Sequence, residues 1–408
     1  MSKRGIVLYL HVHQPYRVRP YTVFDTGISH EYVDEASNET WDNKAVFLKV
    51  VDKSYRPMNQ LILSLLEKYP DFRLSLSITG IFIEQAQAWA PAVLESFRQL
   101  VATGRVEILG ETYQHSLAFF YSKPEFEAQV SLHKELIERE FGVTPQVFRG
   151  TELSYNDELA AWADTKGYRG IIAEGWDPVL EWRSPNYIYH PIGTEQIKLL
   201  LKNYRLSDDL AFRFSNQEWE GWPLTTDKYN DWLDKSLGDQ DVMNLFMDYE
   251  TFGEHQWHDT GIFKFFEGFV STWLNREDNA FYTVSEAISA HPAQGDLSVP
   301  HTITWADSTR DLSAWTGNGL QREALRYVYS LEADILRTQD DLLIRDWRRL
   351  QSSDHFYYMS TKGFMDGEVH SYFSPYPSPY VAFLYYLNVI RDLRWRLHIH
   401  HRTGGLNG

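Results

Sequence analysis

Seven short runs of continuous apolar, β-favouring residues recur up to position 248. They are GIVLYLHV (5–12), FRLSLSIT (72–79), VEILG (106–110), VFRGT (147–151), GIIAE (170–174), IKLLLKN (197–203) and VMNLFMD (242–248). Helix-like segments such as RPMNQLILSLLEKY, PAVLESFRQLVATG and EFEAQVSLHKELIEREFG lie between many of them. Apolar strands that alternate with helices imply a parallel sheet buried on both faces. Seven such units predict an α/β fold, a (β/α)7 barrel of incomplete TIM type; an open doubly wound sheet is the other arrangement.

The ends of the runs favour the barrel. Six of them pass into polar or ionisable residues, as HVHQPY, GETYQH, RGTELSYND, EGWD, NYRLSDD and DYETFGEH. In barrels the C-terminal ends of the strands build the active site. The barrel domain is therefore expected over 1–275, with inserted loops at 16–45 and 204–240 that wall a cleft. From 276 to 408 the texture changes. TVSEAISA, GLQREALRYVYSLEADILRTQDDLLIRDWRRLQ and YVAFLYYLNVIRDLRWRLHIH read as amphipathic helices. This predicts a mainly helical C-terminal domain that contributes to the cleft. The closing RTGGLNG is expected to fray.

Composition narrows the partners. Lys plus Arg number 39 against 56 Asp plus Glu, a net charge of −17. That argues against nucleic acid and anionic membrane, where basic surfaces supply the affinity. Aromatic residues make up 15% of the chain, with 14 Trp and 25 Tyr. Most must belong to the core, but GWD, EWEGW, HQWHD and SAWTGN set rings among polar groups. Such rings suit the flat CH faces of sugars. There is no cysteine, so thiol chemistry and zinc–thiolate sites are excluded. The N-terminal apolar run is too short for a signal peptide, and no 18-residue apolar window exists, so the expectation is a cytoplasmic protein.

Two carboxylates stand out. Glu152 follows the run VFRGT, and Asp248 ends VMNLFMD. An isolated Glu in such a place is usually a cap or an ion-pair partner. Two carboxylates on strand ends of one barrel would instead face each other, as a retaining glycosidase requires. Arg149, Tyr155 and Asn156 offer donors that would keep Glu152 ionised. Burial near Phe246, Tyr249 and Trp257 would raise the pKa of Asp248 for an acid role. His11 and His13 share one strand face. With His115 and His255 they have the residue types for a metal site. Without an Asp at ligand spacing, hydrogen-bonding residues of a polar pocket are the better reading, and no metal or cofactor is expected. No phosphate-binding glycine loop and no GxSxG elbow occurs.

These residues resemble glycoside hydrolase family 57, most closely its α-amylase-type members. His13, Gln14 and Pro15 match the first family motif. GRVEIL (104–109) matches the second and keeps Glu107, with Arg105 and Val106 departing from it. FRGTELSYND matches the third, and Asp248 to Gly253 the fourth. DLSAWTGN, with Asp311 and Trp315, best matches the fifth. The motifs span about three quarters of the chain. The resemblance implies that Glu152 is the nucleophile and Asp248 the general acid/base of a hydrolase acting on α-1,4-glucans such as starch, glycogen or maltooligosaccharides. It implies substrate-binding roles for His11, His13, Gln14, Glu107, Glu111, His115, Arg149, Trp176, Glu250, His255, Trp257, Asp311 and Trp315. Glu254 would join Glu250 in orienting Asp248 or holding sugar hydroxyls. A 4-α-glucanotransferase, a branching enzyme using the same site, a metal-dependent carbohydrate enzyme and a non-catalytic glycan-binding protein are the alternatives.

Overall fold

In a computed structural model, the structure describes residues 3–33, 42–362 and 374–404. Residues 34–41 of the expected 16–45 insertion, 363–373 of the C-terminal region, and 405–408 of the terminal tail lie outside the described residues. The chain divides into two compact units. One comprises 1–13, 48–111 and 131–305; the other comprises 14–47, 112–130 and 306–408.

The first unit holds ten strands: β1 (Arg4–Val12), β2 (Leu74–Ile78), β3 (Val106–Ile108), β4 (Val147–Arg149), β5 (Gly170–Glu174), β6 (His190–Pro191), β7 (Lys198–Lys202), β8 (Val242–Asp248), β9 (Asn279–Tyr282) and β10 (Asp296–Leu297). All seven apolar runs appear among them. One parallel sheet runs β3-β2-β1-β8, and β9 pairs with the first half of β1. A second parallel sheet runs β4-β5-β7. Two thin seams join these sheets. On one side Gly110, just past β3, bridges Phe148, with Gly110 N donating to Val147 O at 2.8 Å. On the other, Asn203 N donates to Asn244 O at 2.8 Å. The seven parallel strands thus close a circuit, in line with the expected barrel.

Local chemistry explains the alternation. β1 is buried along nearly its whole length, as a strand covered on both faces must be. β2 ends at Ile78, and Thr79 caps the next helix, its side chain accepting from Phe82 N. Helices Arg56–Lys68 and Pro91–Ala102 each carry proline in the first turn, where no hydrogen bond is lost. Within the 204–240 segment, Thr226–Leu237 is a helix capped by Thr225. It packs on helix Ile262–Leu274 through Tyr229 and Phe265, whose rings lie 5.6 Å apart. After 275 the first element is a strand, β9, which the texture of that region does not announce.

The second unit is helical among its described residues apart from loops. The stretch from 319 breaks into Gly319–Ser330, Glu332–Thr338 and Asp341–Arg349. Gln339 is left-handed (φ 54°), and Asp340 caps the third helix through Leu342 and Leu343 N. The long helix Pro379–Gly404 buries Asp392, which accepts from Gly27 N at 2.6 Å.

Candidate active site

The barrel interior is layered by the two-residue period of its strands. Val7 and Tyr9 of β1 belong to the core, and His11 comes next on the same face. The same step leads from Leu109 to Glu111, Val147 to Arg149, Ile172 to Glu174, Leu200 to Lys202 and Phe246 to Asp248. Six strands, at or just past their ends, each lift one ionisable side chain above the apolar layer.

These groups form one network. His11 faces Asp248 in the β1–β8 register, with Nδ1 3.6 Å from Oδ1. Its Nε2 lies 3.3 Å from Glu111 Oε2. Arg149 is fully buried, 3.5 Å from Glu111 and 3.4 Å from His11 Nδ1. Burial opposes the guanidinium charge, but Tyr9, Glu111, Glu152 and Asp248 together push its pKa up. Lys202 bridges Asp208 (2.9 Å) and buried Glu174 (3.6 Å). The His11 and His13 rings stack 5.7 Å apart, and His13 Nδ1 meets Thr79 Oγ1 at 3.0 Å. Carboxylates outnumber cations in this layer, which suits a reaction that develops positive charge on a sugar ring.

Glu152 leaves β4 through a tight turn. Gly150 is required there, since a Cβ would meet Ser154 O at 2.1 Å. Glu152 then takes φ 60°, ψ 31°, and Leu153 φ 50°. Left-handed backbone at two non-glycine residues in succession costs energy and marks a position held by its surroundings. The holding segment is 303–305. Tyr155 and Ile303 exchange two backbone hydrogen bonds of 3.0 Å, Trp305 N donates to Glu152 O at 3.1 Å, and Trp305 Nε1 donates to Glu152 Oε2 at 2.8 Å. Asn156, expected to assist Glu152, instead caps helix Asp157–Thr165 and bonds Thr302.

Asp248 retains 38% side-chain exposure. Burial of its carboxyl pushes the pKa up, but the hydrogen bond and charge of His11, with His255 and Arg149, outweigh it and hold it below the usual value. The expected rise is therefore reversed, because charged groups and not only rings surround it. The neighbouring Glu250 is shifted the other way. Burial and the neighbouring Asp248 charge push its pKa up to about 8. The Tyr55 hydroxyl donates to its Oε1, and His13 N lies 3.4 Å from the same atom. Burial also lowers the pKa of His255, against the pull of Asp248 and Glu254. The turn after Asp248 needs Gly253 (φ 110°), where a Cβ would strike Lys53 O.

Residues 7–300, which carry both Glu152 and Asp248, match the model of glycosyl hydrolase family 57. The chain belongs to that family. A Methanocaldococcus jannaschii protein named "Putative alpha-amylase" is 39% identical over 408 residues, covering 96% of this chain and 84% of the relative. Among solved structures, a family 57 branching enzyme from Pyrococcus horikoshii superposes with a TM-score of 0.67 at 14% identity, covering 88% of this chain and 86% of that one. An alpha-amylase from Thermotoga maritima gives 0.65 at 16% identity, covering 99% and 94%. At these identities the two structures speak for the shared fold.

Within this family 57 chain, the strand-bearing unit brings together Glu152, Asp248, His11, His13, Glu111, Arg149, Glu250 and His255. Glu107 sits two residues below Leu109, in another layer. It accepts from Ser75 Oγ (2.9 Å) and Ser285 N (3.1 Å), and burial raises its pKa. Glu254 pairs with Lys49 (2.9 Å) and Lys53 (3.4 Å). Trp257 is 56% exposed with the Lys53 ammonium 5.6 Å above its ring, and Trp176 is half-buried ahead of helix Asp177–Leu180. Gln14, His115, Asp311 and Trp315 belong to the second unit. There Gln14 and His115 are buried, Asp311 binds Ser313 N at 2.8 Å, and Trp315 is buried beside Tyr357. Sequence reasoning misses Glu174, Lys202, Tyr55 and Trp305. Extending the two-residue step past each core position finds the first two; Tyr55 and Trp305 carry no periodic signal.

Proposed function

We propose that this family 57 chain is a retaining, alpha-amylase-type enzyme that cleaves α-1,4-glucosidic bonds in starch- or glycogen-type glucans and maltooligosaccharides. The supporting observation is that Glu152, after β4, and Asp248, ending β8, both act on the single buried guanidinium of Arg149. Two carboxylates that share one cation, one ending a strand and the other in the turn just past one, offer the nucleophile and the acid that double displacement needs.

In the first step Glu152 attacks the anomeric carbon while Asp248 protonates the departing glycosidic oxygen. A sugar bound over Asp248 removes its remaining solvent and raises its pKa toward what an acid needs. Once Glu152 is esterified its negative charge is gone, so the Asp248 pKa falls again and it becomes the base that takes a proton from water. Glu250, neutral beside it, supplies hydrogen bonding without a further negative charge.

Product analysis on maltoheptaose and soluble starch tests this reading, for wild type, Glu152→Gln and Asp248→Asn, each with and without EDTA. Shorter α-maltooligosaccharides from wild type, insensitivity to EDTA and at least a thousandfold loss in both variants are expected. Longer or branched products with little new reducing end reassign the enzyme to glucan transfer. Full activity in either variant overturns the roles.

A further inference from the structure

We infer that Trp305 is a positioning residue for the nucleophile: its indole N–H fixes Glu152 in the ionised form and in its left-handed backbone, and the two buried cations of the site hold the ring. The inference rests on Glu152 being the nucleophile. Five contacts of Trp305 carry it. Trp305 Nε1 reaches Glu152 Oε2 at 2.8 Å, and Trp305 N reaches Glu152 O at 3.1 Å, so one residue grips both ends of the other. The Arg149 guanidinium lies 5.2 Å and the Lys202 ammonium 5.6 Å from the centre of the Trp305 ring, within cation–π range. The His11 ring packs edge-on at 6.2 Å.

The chemistry follows from the donor. A carboxylate that accepts an N–H bond is favoured in its charged form, and its attacking oxygen is aimed. Phenylalanine retains the ring that Arg149 and Lys202 contact but has no N–H. This also gives Lys202, Glu174 and Asp208 a purpose away from the substrate: the ion pairs hold the ammonium where it steadies the ring.

The test measures the rate at which 5-fluoro-α-maltosyl fluoride labels the protein, by intact mass, across a pH series. In labelling, the Glu152 oxygen bonds the anomeric carbon and fluoride departs, while the ring fluorine slows turnover. Peptide mapping of wild type tests the premise separately: a label elsewhere than Glu152, or none, sinks the proposed nucleophile. With the label on Glu152, Trp305→Phe is expected to label about 10- to 100-fold more slowly. Its acidic limb should move about one pH unit upward, with little change in the reagent concentration for half-saturation. Wild-type rate and limb in Trp305→Phe overturn the inference, as does a loss confined to binding. If Trp305→Phe does not fold, 3-benzothienylalanine at 305 replaces N–H by sulfur in the same bicycle, and the same two outcomes decide.

Discussion

His11 and Asp248 stand opposite each other in the β1–β8 ladder, with imidazole Nδ1 3.6 Å from the carboxylate. The histidine therefore helps to hold the pKa of the proposed acid/base low from the neighbouring strand, kept in place by the strand register and by Glu111 and Arg149. In His11→Gln the Asp248 pKa should rise toward the ordinary carboxylate value. The limb of the kcat/KM–pH profile that belongs to Asp248 should then move to higher pH by about one unit. An unmoved limb would mean that Arg149 and His255 suffice to hold Asp248 low.

Glu250 makes stability depend on pH in the opposite sense to most carboxylates. Its pKa is about 8 in the fold against 4.5 for the free side chain. Between those values the native state binds the proton and the unfolded chain does not. Stability therefore falls as pH rises through that window, by up to about 1.4 kcal/mol for each pH unit crossed. Glu250→Gln mimics the neutral form. Urea midpoints at pH 5 and pH 8 should differ less for this variant than for wild type, and at pH 8 the variant should be the more stable.

Gly150→Ala tests the turn that delivers the proposed nucleophile. Its Cβ would lie 2.1 Å from Ser154 O, so the backbone must move. A loss of about 1–3 kcal/mol in stability should accompany a fall in kcat of about 100-fold, since small displacements of a reacting group are costly. Retained kcat in a destabilised variant would uncouple the turn from catalysis.

Trp257, more than half exposed, can be removed without opening a cavity. Trp257→Ala should leave the melting temperature within about one degree and raise KM for maltoheptaose about 2- to 10-fold, the worth of one ring contact. Equal kinetics on short and long glucans would remove Trp257 from the substrate path.

The barrel was legible because apolar runs that alternate with helices leave few arrangements, and because strand ends announce themselves by a switch to ionisable residues. His11, Glu111, Arg149, Glu152 and Asp248 were readable for that reason. The layer of Glu107 could not be read from the motif alone. On a strand, two residues decide the layer, and its step from Leu109 leads downward to Ser75 and Ser285. The lowered pKa of Asp248 was hidden for a different reason. Its apolar neighbours adjoin it in sequence, whereas His11 and Arg149 come from other strands. Trp305 illustrates the same limit, since a lone Trp in a polar loop has no period to betray it.

The two seams of the barrel divide the chemistry as well as the sheet. Glu152 follows β4, in the three-stranded sheet, while Asp248 ends β8, in the other. Among the described residues no continuous ladder connects the proposed nucleophile and the proposed acid. The two sheets meet where Gly110 bridges Phe148 and where Asn203 bonds Asn244, so on the proposed reading these contacts fix how the two carboxylates face each other. Those four residues, none of which carries a charge, are the hinges on which the two halves of the proposed site meet.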